Sequence, residues 1–365
     1  MHGVLRGGLG VLSFQRAGLL LVILWRVLVT TSDGAVEMLA ARLQCPVARI
    51  AGIPMPCPNR SHGAPVFHMH IGKTGGRTVY TFAPTLVGQA NCDWNQANMS
   101  WGRPEYFVRT VRENRAELAS RPCFTTYEVG WRAVDEGFGP TPPIVLTMLR
   151  EPLSWLVSAI EHDKLEKRRN KGIDDVVRRG CIFDGFAGEV RPEGCLGYDY
   201  MNFVVSNFLT LKGVGRFQDA PYQGRRLTNG FPKRQWARRL ETAKAHLDSS
   251  VFGLVEHFHA TKCLWAFQFG HHVSPQKCDC RIRQHTPDHH DGGKGADLGG
   301  RSGSLVHIGI RKGTRETIDL RTLQSLRRVT EGPLGAFYAY ALSLFLERVK
   351  IMQASTSIKV LCDFD

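Results

Sequence analysis

The sequence predicts an α/β domain of three layers, built around a mainly parallel sheet. Two segments carry this prediction. In residues 66–78 a period-two apolar pattern runs into a glycine-rich turn, and in residues 142–158 a near-continuous apolar run ends at Arg150. Continuous apolar strands are typical of a parallel sheet that helices cover on both faces. The chain has 365 residues and 43% hydrophobic content, enough for one sizeable domain of this class plus an N-terminal extension.

The first segment reads Val66-Phe-His-Met-His-Ile-Gly-Lys-Thr-Gly-Gly-Arg-Thr78. Its glycines end the strand, and a helix is expected over residues 77–83. The N–H groups of such a turn and of the helix N-terminus converge on one point, where the helix macrodipole favours an anion. Lys73 adds positive charge there, and Thr74 and Thr78 add hydroxyl donors. We therefore predict a phosphate-binding turn; the alternative is an ordinary glycine-rich turn with an exposed lysine.

This turn departs from the Walker A loop of nucleoside triphosphatases. That loop follows the pattern G-x-x-x-x-G-K-[ST], and its first glycine would fall at position 67, which is Phe. The departure disfavours a nucleoside triphosphatase.

The second segment predicts another phosphate contact. Arg150 closes a strand, and Pro152 suits the first turn of the following helix. Ser158 comes about two turns along that helix, on a face that can return toward Arg150. A bidentate guanidinium and a hydroxyl would together hold a phosphate at the carboxyl end of the strand. In the alternative, Arg150 pairs with Glu151 or Glu161 and Ser158 only packs.

Together the two segments resemble the sulfotransferases that use 3′-phosphoadenosine 5′-phosphosulfate, in particular the membrane-anchored Golgi enzymes that sulfate carbohydrates. His70-Ile-Gly-Lys-Thr-Gly-Gly76 is similar to their 5′-phosphosulfate loop, and Thr147-Met-Leu-Arg-Glu-Pro-Leu-Ser-Trp-Leu-Val-Ser158 to their 3′-phosphate site. The heparan sulfate 2-O- and 6-O-sulfotransferase group is the closest likeness. Weaker similarities at residues 207–213, 251–257 and 337–345 extend the resemblance over about residues 65–346.

The resemblance implies a sulfotransferase fold and specific roles for these residues. Lys73 would neutralise charge on the bridging or leaving oxygen of the sulfuryl donor, and no metal is required. The 5′-phosphate would be held by the turn and the helix start, that is by Thr74, Gly75, Gly76, Arg77 and Thr78. Arg150 and Ser158 would hold the 3′-phosphate.

Sulfuryl transfer to a hydroxyl also needs a base within hydrogen-bond reach of the acceptor. A strand is predicted within residues 123–131, and in the resembled family this strand supplies the base, a histidine in some members and a glutamate in others. Glu128 is therefore the candidate. The alternatives are a solvated or salt-bridged Glu128 and a histidine base, for which His68, His70 and His162 are candidates.

The remaining elements follow from periodicity and from helix-start signals. Helices are predicted over residues 106–121, 154–169 and 264–269. Another helix is predicted to begin at Pro232, with an apolar stripe that reaches Leu247. Two terminal helices are predicted within residues 319–346, separated by Gly332-Pro333. A further buried strand is predicted at residues 251–255. Residues 271–304 are predicted to form a mobile loop. The weaker alternative is a metal site that includes Cys278, Cys280 and His285, whose spacing matches no zinc pattern.

The N-terminus predicts a membrane anchor. An apolar run at residues 17–29, with Arg6 and Arg16 ahead of it, is short for a full span. A cleaved signal peptide and an organelle-targeting leader are the alternatives. The predicted division is a cytoplasmic tail and anchor at residues 1–35, a stem at residues 36–64, the sulfotransferase domain at residues 65–350 and a tail at residues 351–365. The predicted location is the Golgi membrane, single-pass type II.

Cysteines and sequons favour the lumenal side of that membrane. The ten cysteines are spread along the chain rather than clustered, which fits disulfides in an oxidising compartment. Cys45 with Cys57 and Cys181 with Cys195 are the predicted local pairs. Asn59 and Asn98 begin N-glycosylation sequons.

The charge predicts anionic partners. The net charge is +14, and residues 212–239 are strongly basic, as expected of a surface for an acidic glycan or as a merely solvated face. No nucleic-acid-binding motif is present in the sequence. We therefore expect sulfuryl transfer to a carbohydrate hydroxyl. A nucleoside-triphosphate-dependent kinase and a catalytically silent lumenal glycan-binding protein of the same fold are the alternatives.

Overall fold

The computed structural model describes residues 47–50, 52–56, 64–72, 74–92, 104–139, 142–166, 173–178, 236–283 and 318–362. In chain order the strands and helices are β1 (Val47–Ile50), β2 (Ile53–Pro56), β3 (Val66–Met69), α1 (Gly76–Val87), α2 (Pro104–Glu113), α3 (Arg115–Ser120), β4 (Phe124–Tyr127), α4 (Trp131–Phe138), β5 (Ile144–Leu149), α5 (Pro152–Glu166), α6 (Ile173–Arg178), α7 (Trp236–Asp248), β6 (Val251–Leu254), α8 (Phe258–Gln268), α9 (Pro275–Cys278), α10 (Cys280–Arg283), α11 (Leu320–Thr330) and α12 (Pro333–Thr356).

The central sheet has four strands in the order β4-β3-β5-β6, and all three pairs are parallel. Every residue of these strands is buried, as the near-continuous apolar run of β5 predicts for a strand covered on both faces. The prediction of an α/β domain with a mainly parallel sheet is therefore confirmed.

Helices pack on both faces of this sheet, because alternate strand residues point to opposite sides. On one side Phe67 of β3 packs against Phe107 of α2, with ring centroids 5.1 Å apart, and against Phe138 of α4. On the other side Val66 belongs to a second buried cluster together with Val79 of α1, Trp265 of α8 and other apolar residues. The sheet is thus the middle of three layers.

Local sequence signals account for most helix boundaries. Helix α1 ends at Gly88, which adopts a left-handed conformation with φ of 66°. Helix α5 begins at Pro152, and Pro333 begins α12 after Gly332, as predicted. The single helix predicted over residues 106–121 is wrong: the structure has two helices that meet at Asn114, whose Nδ2 donates to the Thr110 carbonyl.

A hairpin of β1 and β2 lies within the segment predicted as a stem. Its strands pair antiparallel around Gly52, which has φ of 81°, a conformation that glycine adopts without strain. Met55 is fully buried, and Arg348 of α12 donates to the Pro54 carbonyl over 2.7 Å. The hairpin is therefore packed onto the domain, ahead of the boundary predicted at residue 65.

The C-terminal segment is packed as well. Helix α12 continues past residue 350, and Ile358 and Val360 behind it are buried. The Cys280 N–H donates to the Lys359 carbonyl over 2.7 Å. Residues 351–362 therefore belong to the folded unit and are not a free tail.

Three disulfides join cysteines of the described segments: Cys92 with Cys123, Cys263 with Cys278, and Cys280 with Cys362. The prediction of disulfides is confirmed by these pairs. The two pairs predicted from local spacing, Cys45 with Cys57 and Cys181 with Cys195, lie outside the described residues.

Several other predictions also fall outside the described residues. They concern the apolar N-terminal run, both sequons, His285 and most of the basic segment at residues 212–239. Among the helices that the structure does describe, none has both the length and the apolar character needed to cross a membrane.

Candidate functional site

The candidate site lies at the carboxyl-terminal edge of the sheet, where β3 and β5 run side by side. The chain leaves β3 toward β4 on one side and leaves β5 toward β6 on the other. Neighbouring strands whose connections depart in opposite directions leave a crevice between them, and doubly wound sheets bind ligands there. The glycine-rich turn follows β3 and Arg150 follows β5. Both predicted phosphate-binding segments therefore begin at this crevice.

Thr74 forms the turn rather than facing the crevice. Its side chain is fully buried, its Oγ1 donates to the Ile71 carbonyl over 2.6 Å, and its N–H reaches the same carbonyl at 3.3 Å. Both donors of Thr74 are thus engaged inside the turn. A hydroxyl donor for a ligand was predicted at this position, whereas Thr74 fixes the backbone of the turn.

The two glycines that follow are required for different reasons. Gly75 has φ of 82° and ψ of 19°, the left-handed region that residues with a Cβ rarely adopt. Gly76 makes room for His70, because a Cβ at Gly76 would lie 1.9 Å from His70 Nε2. Together they let the strand turn sharply into α1.

The start of α1 offers backbone donors to the crevice. The first N–H groups of any helix have no partner inside the helix, and here the Val79 N–H is the one that bonds back to the Gly75 carbonyl, at 3.1 Å. Gly75 precedes the helix and has no side chain with which to cap it. The N–H groups at the start of α1, which include that of Thr78, therefore form a positively polarised end that suits an anion.

Replacing Gly76 with alanine is expected to lower the free energy of unfolding by about 1–3 kcal/mol, the usual range for overpacking. The added Cβ would overlap the imidazole of His70, so the ring or α1 must move. The measurement is chemical denaturation of the variant. The matched control is Gly137→Ala in α4, whose Cβ would lie 3.4 Å from its nearest neighbours. Equal stability of the two variants would contradict the close contact at Gly76.

Side chains of the second segment hold the first segment in place. Trp155 of α5 donates from Nε1 to the Gly72 carbonyl over 2.8 Å, and Thr147 of β5 donates to the Met69 carbonyl over 2.8 Å. Neither contact was predicted from the sequence. The available signal was Trp155 itself, because a buried indole N–H usually has an acceptor.

Arg150 and Ser158 both belong to the second segment. Arg150 directly follows β5 and is half-buried, and Ser158 is buried in α5 with 4% of its surface exposed. Between them, Glu151 caps α5: its carboxylate accepts from the N–H groups of Leu153 and Ser154, at 3.0 and 2.7 Å. Glu151 thereby fixes the backbone next to Arg150.

Glu256 ties three elements together beside this backbone. It follows β6, and its Oε1 accepts the Glu151 N–H over 3.0 Å while its Oε2 accepts the Tyr338 hydroxyl of α12 over 3.0 Å. Burial, and then the charge of Glu256, raise the pKa of Tyr338, so the hydroxyl remains a donor. Glu256 and Tyr338 lie in two segments that the sequence marks only as weak similarities, and their contact was not predicted.

Glu128 and His70 meet at the same edge of the sheet. Glu128 is the first residue after β4 and His70 the first after β3. His70 Nδ1 lies 3.2 Å from Glu128 Oε1, and the two side chains are 22% and 16% exposed. The predicted base is thus partly shielded from solvent and beside the glycine-rich turn.

The other candidate histidines lie elsewhere. His68 is fully buried, with Nδ1 2.8 Å from Thr126 Oγ1. Burial, and then the neighbouring His70, lower the pKa of His68 well below its usual value, so its ring is neutral and lies in the core. His162 belongs to α5, where the structure describes only its backbone.

The structure describes only part of the two cationic residues predicted in the turn, Lys73 and Arg77. Lys73 lies outside the described residues, and for Arg77 the structure describes the backbone, as the second residue of α1. The positive charge of the turn is therefore established by the sequence alone.

The alternative metal site at residues 278–290 loses two of its ligands. Cys278 and Cys280 are both in disulfides, and a disulfide sulfur is not the thiolate that binds zinc. No cluster of three or more His, Cys, Asp or Glu that could hold a metal ion occurs in the described part of the chain.

No protein-family model matches the chain, and no curated protein matches it.

Proposed function

We propose that this chain transfers a sulfuryl group from 3′-phosphoadenosine 5′-phosphosulfate to a hydroxyl group of a carbohydrate. The observation that carries the proposal is the convergence of three features at one edge of the sheet: the turn that opens onto α1, Arg150 after β5, and Glu128 after β4. A donor with two separate phosphate groups suits two separate cationic or N–H-rich segments.

The residues divide into two phosphate contacts. The backbone of Gly75, Gly76, Arg77 and Thr78 at the start of α1 would hold the 5′-phosphate, with the Lys73 ammonium against the bridging or leaving oxygen. Arg150 and Ser158 would hold the 3′-phosphate. Thr74 supports the turn from inside. Gly76 leaves room for the His70 ring, so the cradle would consist of the backbone N–H groups at the start of α1.

Glu128 would act as the base. When bound, the nucleotide supplies the sulfuryl group and a phosphate leaving group. The carboxylate would accept the proton of the acceptor hydroxyl as its oxygen attacks sulfur. Alignment of the acceptor and stabilisation of charge by the turn would provide the rest of the rate enhancement.

A nucleoside-triphosphate-dependent kinase is the first alternative. A Walker A loop would place its first glycine at position 67, but Phe67 is a buried strand residue that packs against Phe107 and Phe138. The loop thus begins too late for a Walker A geometry, which disfavours the kinase. A catalytically silent glycan-binding protein of the same fold is the second alternative.

We further propose that the domain lies in the Golgi lumen, anchored by its N-terminal apolar run, and that its acceptor is an acidic glycan. The three disulfides of the described segments support an oxidising compartment. The net charge of +14 supports an anionic acceptor.

Replacing Arg150 with alanine is expected to weaken binding of 3′-phosphoadenosine 5′-phosphate by about 10- to 100-fold, since hydrogen bonds to a charged group contribute about 1.5–3 kcal/mol. The measurement is titration calorimetry on the purified full-length protein, with ATP plus Mg²⁺ as the competing ligand. The matched control is Arg121→Ala, because Arg121 is exposed at the opposite edge of the sheet, ahead of β4.

Wild-type protein should prefer the 3′-phosphorylated nucleotide, and the control variant should bind as wild type does. A preference for ATP with Mg²⁺ would favour the kinase. Absence of nucleotide binding would leave the silent glycan-binding protein.

A further inference from the structure

We propose that His70 is a positioning residue, which holds the Glu128 carboxylate in place for the acceptor hydroxyl and joins it to the phosphate-binding turn. This inference rests on the proposed function and adds to it the residue that orients the base.

The register of the sheet brings the two side chains together. Met69 and Tyr127 are direct partners in the parallel pair of β3 and β4, and the next residues along are His70 and Glu128. The His70 N–H continues the ladder by donating to the Tyr127 carbonyl over 2.9 Å. The backbone register thus places the two residues side by side, with His70 Nδ1 3.2 Å from Glu128 Oε1.

The imidazole is held from two further directions. Its Nε2 edge packs on Gly76, where a Cβ would lie 1.9 Å from Nε2 and 2.0 Å from Cδ2. The ring of His68 stacks on it, with centroids 5.5 Å apart. One ring therefore contacts both the first residue of α1 and the candidate base, and it has little freedom to rotate.

This arrangement assigns separate tasks to the two carboxylate oxygens. In the proposed arrangement an N–H on His70 Nδ1 faces Oε1, and Oε2 would face the acceptor hydroxyl when substrate is bound. As the acceptor oxygen bonds to sulfur, its proton passes to Oε2, while the bond from sulfur to the phosphate oxygen breaks and its electron pair leaves with the nucleotide. The contact from Nδ1 to Oε1 is close but not aligned as a hydrogen bond, and such contacts commonly align only when the substrate is bound.

The same contact permits the reverse arrangement, in which Glu128 orients His70 and the imidazole is the base. Carboxylates orient catalytic histidines in this way in other enzymes. The two arrangements differ in what they predict for His70→Asn, because asparagine keeps an N–H donor but cannot act as a base.

The experiment compares His70→Asn, His70→Leu and Glu128→Gln in the full-length protein. Asparagine retains an N–H near the position of Nδ1, whereas leucine fills similar space without a donor. The measurements are the dissociation constant for 3′-phosphoadenosine 5′-phosphate, and kcat and KM with the sulfuryl donor and O-desulfated heparan sulfate as acceptor.

We expect His70→Leu to lower kcat by about 10- to 100-fold, consistent with losing one hydrogen bond to a charged group. Its nucleotide affinity should stay within about twofold of wild type, and His70→Asn should recover most of the lost kcat. Glu128→Gln should lower kcat by about 100- to 10,000-fold. Wild-type kcat in His70→Leu, or an inactive His70→Asn, would overturn the proposal; the second result would make His70 the base.

A second readout needs no acceptor. In ¹⁵N spectra of the imidazole nitrogens, the His70 signal is identified by its loss in His70→Asn, and we expect Nδ1 to carry the proton. An unprotonated Nδ1 in the wild type would overturn the proposal even if that glycan is not the acceptor. Nucleotide binding by the wild type distinguishes failure of the proposed function from failure of the positioning role. If the proposed function is wrong, the wild type does not bind the 3′-phosphorylated nucleotide, and the positioning role is then overturned as well.

Discussion

Glu128→Gln is expected to lower the rate of sulfuryl transfer by about 100- to 10,000-fold, the usual contribution of a general base. Glutamine is nearly the same shape as glutamate but cannot accept the proton. Nucleotide affinity should change little, because Glu128 belongs to neither phosphate-binding segment. The measurement is kcat for the release of 3′-phosphoadenosine 5′-phosphate in the presence of acceptor.

The matched control for this variant is Glu113→Gln. Glu113 lies on α2 with 66% of its side chain exposed, so its replacement should leave the rate unchanged. A Glu128→Gln protein that keeps more than about a tenth of wild-type turnover would contradict the base assignment, since the loss would be below the range for a general base.

Arg348→Ala is expected to lower the free energy of unfolding by about 3–5 kcal/mol. Arg348 is fully buried, and its guanidinium donates to the carbonyls of Pro54, Asp248 and Ser250 at 2.7, 2.6 and 2.9 Å. It also lies 4.9 Å from the ring centroid of Phe252. Burial lowers the pKa of Arg348 to about 9, so the group is still charged at neutral pH. Alanine would leave three acceptors unsatisfied and a cavity between them.

The measurement is equilibrium denaturation of the variant beside Lys350→Ala. Lys350 lies on the same helix with 68% of its side chain exposed and pairs with Glu347, so its loss should cost less than about 1 kcal/mol. An Arg348→Ala protein as stable as this control would show that the three carbonyls find other donors.

Much of the fold is predictable because its signals are local. The strands β3, β5 and β6 are short apolar runs, and the helices α1, α5 and α12 begin at glycine or proline signals. Each of these features depends on neighbours within about two helical turns. The site could be placed from the sequence because parallel strands bring their carboxyl ends to one edge.

Features that depend on distant partners were not predicted. The sequence gives no direct sign of the strand order or of the bond between Cys92 and Cys123, because nothing in either neighbourhood identifies its partner. The hairpin of β1 and β2 was missed for another reason: Pro54 and Pro56 lie in β2, and proline is disfavoured inside sheets except at edges.

In the candidate site, too, local features were predicted from the sequence and contacts between distant residues were not. The glycines of the turn and the position of Glu128 follow from local pattern. The contacts of Trp155 to Gly72 and of Tyr338 to Glu256 join residues that are far apart in the chain, so only the folded structure brings them together. The buried hydroxyl of Thr74 reflects the fold of the turn itself, which the pattern of residue types does not specify.

The hydrogen bond from Arg348 to Pro54 joins residues 294 positions apart. This separation affects how the domain folds during its synthesis on the ribosome. At ribosomal rates of about 5–20 residues per second, the hairpin would wait roughly 15–60 s for its partner helix. During that interval β2 would lack its contacts with α12. Contacts of such high contact order form late, so nascent chains of this protein would remain open to chaperones until the last helix is complete.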